Sequence, residues 1–172
     1  VCIIENADLG HADLTANAWH NWAEIPDNGQ DDDANGYVDD FLGWNTPNNN
    51  DNVYSGGHGT QCAGMVGATG NNSIGVAGAN WSVKMMPVNY GGVQEAQVVA
   101  AYTYPLVMRR MYNSTGGLKG AFVGATSASW GLGGGDPYGP PAWCAMYVTF
   151  GTCLFYTYGP SAAGAIGDRG VA

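Results

Sequence analysis

The chain is short of positive charge. Five lysines and arginines stand against 14 acidic residues in 172, a formal charge of 5 − 14 = −9. So few cations cannot neutralise many phosphates, which argues against nucleic acid as a partner. Long apolar runs are missing too: there is no stretch of about 18 apolar residues, so no transmembrane helix is expected. The start, Val1 to Asp8, lacks the basic region that precedes the apolar segment of a signal peptide. The four cysteines, Cys2, Cys62, Cys144 and Cys153, show no CxxC spacing, which argues against a zinc site. Their even number permits two disulfides in three pairings, although Cys62, in the small-residue run Cys-Ala-Gly-Met, reads as a buried free thiol.

What is present is an apolar, glycine-rich chain. Hydrophobic residues make up 45%, with 28 glycines and 20 aromatics, and only 11% is charged. That supports a sizeable core and excludes disorder, which needs few aromatics and much charge. Low charge with abundant glycine and asparagine fits a secreted or cell-surface protein, of bacterial type, better than a cytosolic one.

Residues 1–4 read as a short buried strand ending at Glu5-Asn6, and residues 13–22 as one or two helical turns. A small-residue helix is predicted over 61–69 and a second buried strand over 83–89. Residues 93–112 are the strongest helix, with Glu95 in the first turn and Arg109 and Arg110 in the last, as the macrodipole prefers. Pro105 predicts a kink there, or two helices end to end. A third strand is expected over 120–130, a loop over 131–141, a short helix over 142–150 and a fourth strand over 152–158. Strands alternating with helices predict a parallel α/β sheet.

The acidity is concentrated. Seven of the 14 acidic residues lie between Asp27 and Asp51, with no basic residue among them. Asp31-Asp-Asp-Ala-Asn-Gly-Tyr-Val-Asp-Asp40 matches the first half of a calcium loop, D-x-D-x-N-G. Calcium takes six to eight hard oxygens, and alternate side chains converge where a glycine allows a sharp turn. Asp31, Asp33 and Asn35 would offer side-chain oxygens and Tyr37 its carbonyl. The twelfth position is Leu42, not the bidentate glutamate of an EF-hand, so Asp39 or Asp40 must close the shell. Three adjacent aspartates repel one another without a cation, and calcium is the expected cofactor. The plain alternative is a solvated acidic turn.

Of three histidines, His58 stands in Gly57-His-Gly-Thr-Gln-Cys-Ala-Gly64, where flanking glycines leave the imidazole approachable, as a general base requires. His11 and His20 have no such setting and read as structural. The string resembles the histidine motif of the subtilisin-like serine proteases, H-G-T-x-x-A-G; its cysteine is similar to that of the proteinase K branch, a free thiol. Other segments follow in the family's order. Cys2-Ile-Ile-Glu-Asn-Ala-Asp-Leu-Gly-His-Ala-Asp-Leu14 resembles the first catalytic segment, in which a strand delivers an aspartate. Residues 28–44 resemble a calcium-associated insertion common in bacterial secreted members, and residues 71–88 the stretch after the histidine helix. Ser127-Ala-Ser-Trp-Gly131 resembles the strand that pairs with the substrate backbone, which the resemblance assigns to Ser129, Trp130 and Gly131.

The resemblance implies a three-layer α/β/α fold with a mostly parallel sheet, and a serine endopeptidase in which His58 is the general base. It also has departures. Glu5 stands where the catalytic aspartate is expected, with Asp8 as a second candidate for orienting His58. Ala162 and Ala163 fall where the family carries its oxyanion-hole asparagine. The nucleophile motif G-T-S-x-A does not occur, and Ser127, Ser129 and Ser161 lack its setting. Residues 1–172 are therefore expected to be a partial, N-terminal part of a catalytic domain, inactive as an isolated chain. Its expected partners are a peptide or protein substrate and the remainder of the domain or a second fragment. The rival reading is a degenerate, calcium-stiffened structural or adhesive module. A calcium module unrelated to proteases would instead leave His58 far from both Glu5 and Asp8.

Overall fold

The computed structural model describes residues 1–92 and 94–130. The chain divides into two compact units, residues 1–128 and 129–172, and of the second only Ser129 and Trp130 are described. The expected loop, helix and strand over 131–158 lie outside the described residues, as do Gly131, Ser161, Ala162 and Ala163.

The first unit is built on four short strands, β1 (Cys2–Ile3), β2 (Trp44–Asn45), β3 (Met86–Asn89) and β4 (Thr126–Ser127), in the order β2-β3-β1-β4. All three pairings are parallel: Cys2 lies opposite both Met86 and Thr126, and Trp44 opposite Val88. β1 is central and reads as an unbroken apolar run because both its faces are covered. Cys2, Ile3 and Ile4 are all buried.

Two helices cover those faces. α1 (Gly57–Gly67) buries Gly59, Ala63, Gly64 and Gly67, and its small residues let it lie close to the sheet. Ala63 joins Ile3, Leu9, Leu14 and Met85 in one apolar cluster. α2 (Glu95–Ser114) buries Val98, Ala101, Tyr104, Pro105 and Met108, a stripe at helical spacing. The Tyr104 ring stacks on Trp44, whose register partner Val88 lies on the same face of the sheet as Met86 and Cys2. Since Cys2 and Ile3 are successive strand residues and point to opposite faces, α1 and α2 sit on opposite sides of the sheet. The three-layer α/β/α architecture is thereby present in this unit.

Two local expectations need correction. α2 is one 20-residue helix, not two placed end to end; Pro105 is accommodated within it on the buried side. It runs on to Ser114, so Arg109 and Arg110 lie before its last turn, not in it. Within 13–22 a single 3-10 turn, Thr15–Asn17, forms, the smaller of the one or two helical turns expected.

Candidate active site

In open α/β sheets, functional groups gather beyond the carboxyl ends of the strands. Here the chain leaves β1 at Ile3 and reaches Glu5, and leaves β3 at Asn89 and reaches Tyr90. α1 begins at Gly57, four residues earlier than the small-residue pattern suggests, which puts His58 in its first turn. Gly56 precedes it with a positive φ of 89°, a conformation a side chain would strain. Gly59 is needed for a different reason, since a Cβ there would strike the backbone oxygen of Asn6. A residue without a side chain lets the helix start press against the turn after β1, and that approach brings His58 to Glu5.

His58 Nδ1 lies 2.7 Å from Glu5 Oε1. The His58 side chain is 61% exposed and that of Glu5 18%, so the carboxylate is sheltered while the imidazole remains reachable. With Nδ1 carrying the proton toward Glu5, Nε2 presents a lone pair, as a general base requires. The second oxygen, Glu5 Oε2, is buried with no hydrogen-bond partner among the described residues. Tyr90 is close by: burial first, and the charge of Glu5 second, push its hydroxyl pKa up. The sequence offered no reason to select Tyr90.

Asp8 does different work. Its carboxylate accepts a hydrogen bond from the Gly10 N–H at 3.0 Å, and its own N–H donates to Thr60 Oγ1 at 2.9 Å. Thr60 Oγ1 in turn donates to the Gly56 carbonyl. Asp8 and the threonine of the His-Gly-Thr string thus fasten the helix start, and of the two candidate acids it is Glu5 that reaches the imidazole. Cys62, one turn along α1, places Sγ 3.9 Å from His58 Nε2. Its thiol is free but partly exposed, where burial was expected. Ser129 is exposed and Trp130 partly so, just beyond β4, the end strand of the order among the described residues.

The acidic loop sorts into distinct jobs. Glu24, Asp31 and Asp33 each offer a carboxylate oxygen, all within 4.8 Å of one another. Glu24 and Asp33 are 4% and 2% exposed. Glu24 Oε1 accepts from the Asp33 N–H at 3.0 Å, while its Oε2 is buried without a hydrogen-bond partner among the described residues. Burial, and then the charges of Asp33, Asp31 and Asp32, raise the Glu24 pKa against the lowering effect of that hydrogen bond. The Lys119 ammonium donates to the Asp33 backbone carbonyl at 3.0 Å, a nearby positive charge. A hard divalent cation suits this donor set: oxygen ligands only, crowded negative charge and one buried acceptor left over.

Asp31 also accepts from the Asn35 and Gly36 N–H groups (3.0 and 2.8 Å) and Asp33 from the Asn35 N–H (2.9 Å) and the Asn21 amide (3.0 Å), and the other expected ligands point away from this cluster. Both oxygens of Asp39 accept from the backbone of Asn28 and Gly29, at 2.9 Å each. Asp40 turns inward, fully buried, and accepts from Asn21 (2.7 Å), Asn35 (2.9 Å) and the Tyr104 hydroxyl (2.7 Å). Burial raises its pKa to about 6 despite these donors. Asn35 Oδ1 accepts from the Tyr37 N–H, and the Tyr37 ring packs edge-on against Trp44 and Tyr104. Glu24 was not singled out from sequence because it lies outside the D-x-D-x-N-G string; its place before a dense acidic run was the one hint.

A sheet-borne acid–histidine pair with Nε2 exposed is the arrangement of hydrolases that activate a hydroxyl nucleophile. Comparison with known proteins narrows this. The model of the subtilase family, Peptidase_S8, matches residues 1–149, and the chain belongs to that family. Over 89 residues, half of the chain, it is 40% identical to subtilisin-like protease 1 of Plasmodium berghei and to its Plasmodium falciparum counterpart. The Plasmodium vivax protein is 39% identical over the same length. The matched stretch spans only 13–15% of these relatives. The similarity therefore extends to proteins outside the bacteria. Among the described residues no helix is long and apolar enough to cross a membrane.

Proposed function

We propose that this chain provides the acid–histidine part of a subtilisin-like serine endopeptidase. His58 Nε2 takes the proton of a serine hydroxyl as it attacks a peptide carbonyl, and Glu5 holds the imidazole and stabilises the cation that forms. The acyl-enzyme is then hydrolysed by water through the same base. Ser129, Trp130 and Gly131 align the substrate by backbone pairing beyond β4. The serine and the oxyanion donor come from the remainder of the same domain or from a second fragment, because this sequence holds no G-T-S-x-A motif. The observation that carries the reading is the 2.7 Å contact between Glu5 and His58.

Calcium is the proposed cofactor, held by Glu24, Asp31 and Asp33, and its role is to neutralise and stiffen the 24–40 segment. A secreted or cell-surface setting follows in the same proposal, since calcium is plentiful there and the chain is poor in charge. The second reading, a non-catalytic calcium-stabilised module, is favoured by Glu5 in place of aspartate and by the missing serine motif. A fluorophosphonate serine probe applied to the native material separates the two. Labelling of the chain or of a fragment associated with it is expected; no labelling of intact, folded protein overturns the protease reading.

A further inference from the structure

The face of His58 that a base must keep open carries a second ligand atom. His58 and Cys62 are four residues apart on α1 and share one face of it. We infer that His58 Nε2 and Cys62 Sγ chelate a single thiophilic divalent cation of the zinc or cadmium type. The distances suit it. Zinc lies about 2.0–2.1 Å from an imidazole nitrogen and about 2.3 Å from a thiolate, which at the tetrahedral angle sets the two ligand atoms about 3.6 Å apart. They stand 3.9 Å apart here, a difference that small side-chain rotations remove.

Glu5 completes the design from behind. By accepting at Nδ1 it fixes the tautomer that leaves Nε2 able to bind a metal, the carboxylate–histidine–metal relay of many such sites. Its carboxylate, the imidazole and the thiol all place ligand atoms within 4.8 Å of one another, so its negative charge lies close to the site. His58 is largely exposed and Cys62 partly so, which gives an ion a way in and leaves room for water ligands. Cys2, the other described thiol, offers no such site: it is fully buried, and burial pushes its pKa far above the ordinary value. Binding replaces the S–H bond with a sulfur–metal bond and releases one proton to solvent. A cysteine–histidine pair thus supplies a site of the kind that the absence of a CxxC motif argued against.

Occupancy would consume the lone pair that the general base uses. Inhibition by the metal therefore rests on the protease reading, whereas binding does not. The test is site-resolved alkylation of the full chain, reduced and saturated with calcium so that the acidic loop is filled. Zinc in modest excess is expected to slow alkylation of Cys62 by about tenfold or more, and His58→Ala to abolish that protection. Cadmium should give a thiolate charge-transfer absorption that Cys62→Ser removes. An unchanged Cys62 alkylation rate in zinc overturns the inference. So does protection that persists in both His58→Ala and His58→Gln, each checked for native melting, because a lone thiol would then account for it. Serine-probe labelling is independent of these readouts, so failure of this site and failure of the protease reading are distinguishable.

Discussion

Replacing Glu24 by glutamine should stabilise the calcium-free protein and weaken its response to calcium. Glu24, Asp31 and Asp33 place carboxylate oxygens within 4.8 Å of one another. At that separation, two unit charges repel by about 3.5 kcal/mol at an effective dielectric of about 20. Glu24 takes part in two of the three pairs. The Asp33 N–H bond to Glu24 and the partial exposure of Asp31 offset part of this repulsion, so the realised penalty is smaller. Glutamine keeps an oxygen for the Asp33 N–H and removes the charge. In excess chelator, Glu24→Gln should therefore be more stable by about 1–3 kcal/mol, a melting temperature about 3–10 °C higher for a chain of this size.

With calcium that advantage shrinks. Calcium at 100 times its dissociation constant stabilises the folded state by about 2.7 kcal/mol. Loss of one charged ligand that weakens binding tenfold removes about 1.4 kcal/mol of that. The calcium-induced rise in melting temperature should shrink accordingly in the variant, followed by scanning calorimetry with calcium and with chelator. If Glu24→Gln melts lower than the parent in chelator, the carboxylate cluster is not repulsive and the charge-crowding account is refuted. If neither protein responds to calcium, there is no metal site.

Two further outcomes test the interior. Tyr104→Phe removes a hydroxyl that donates to the buried Asp40 at 2.7 Å; it should cost about 1–3 kcal/mol, seen as a lower denaturation midpoint with unchanged slope. The His20 pKa is lowered by burial and then by Lys84. Since the unfolded chain takes up that proton first, stability present above the ordinary histidine value should fall as pH drops below it toward the depressed folded value. His20→Phe, which keeps an aromatic ring against Phe41, should flatten that limb in urea titrations at successive pH values; an unchanged slope would refute the assignment.

What the sequence revealed depended on whether a residue's role was local. β1 and α1 were legible because an apolar run and a small-residue run each state their burial directly. β2 was not, since Trp44 and Asn45 are too short a run to show a period and are ordered by partners across the sheet. Arg109 looked like a charge placed for the helix dipole. It lies instead over the Phe122 ring, 3.8 Å from its centroid, and donates to the Val123 carbonyl, fastening the segment that leads into β4. The acidic loop shows the same division. Its motif drew attention to the right segment, yet Asp40 is turned inward by the Asn21 and Tyr104 side chains and Asp39 is held by the Asn28 N–H, all outside the motif.

The same distinction settles the two acids near His58. On sequence alone Glu5 came first and Asp8 second, and a glutamate carries one methylene more than an aspartate, which displaces its carboxylate along the side chain. The displacement is absorbed by geometry at Gly59. A Cβ at that position would come within 3.1 Å of Glu5 Cγ as well as striking the Asn6 carbonyl. The space left by the missing side chain therefore holds the added methylene, and the carboxylate beyond it meets Nδ1 at 2.7 Å. An aspartate on this backbone would fall short by about one carbon–carbon bond, about 1.5 Å, and the contact would lengthen to about 4 Å, beyond hydrogen-bonding range. Glu5 is thus fitted to the way this helix start approaches the sheet. The acid and the glycine that follows the histidine form one unit, and neither substitution can be judged without the other.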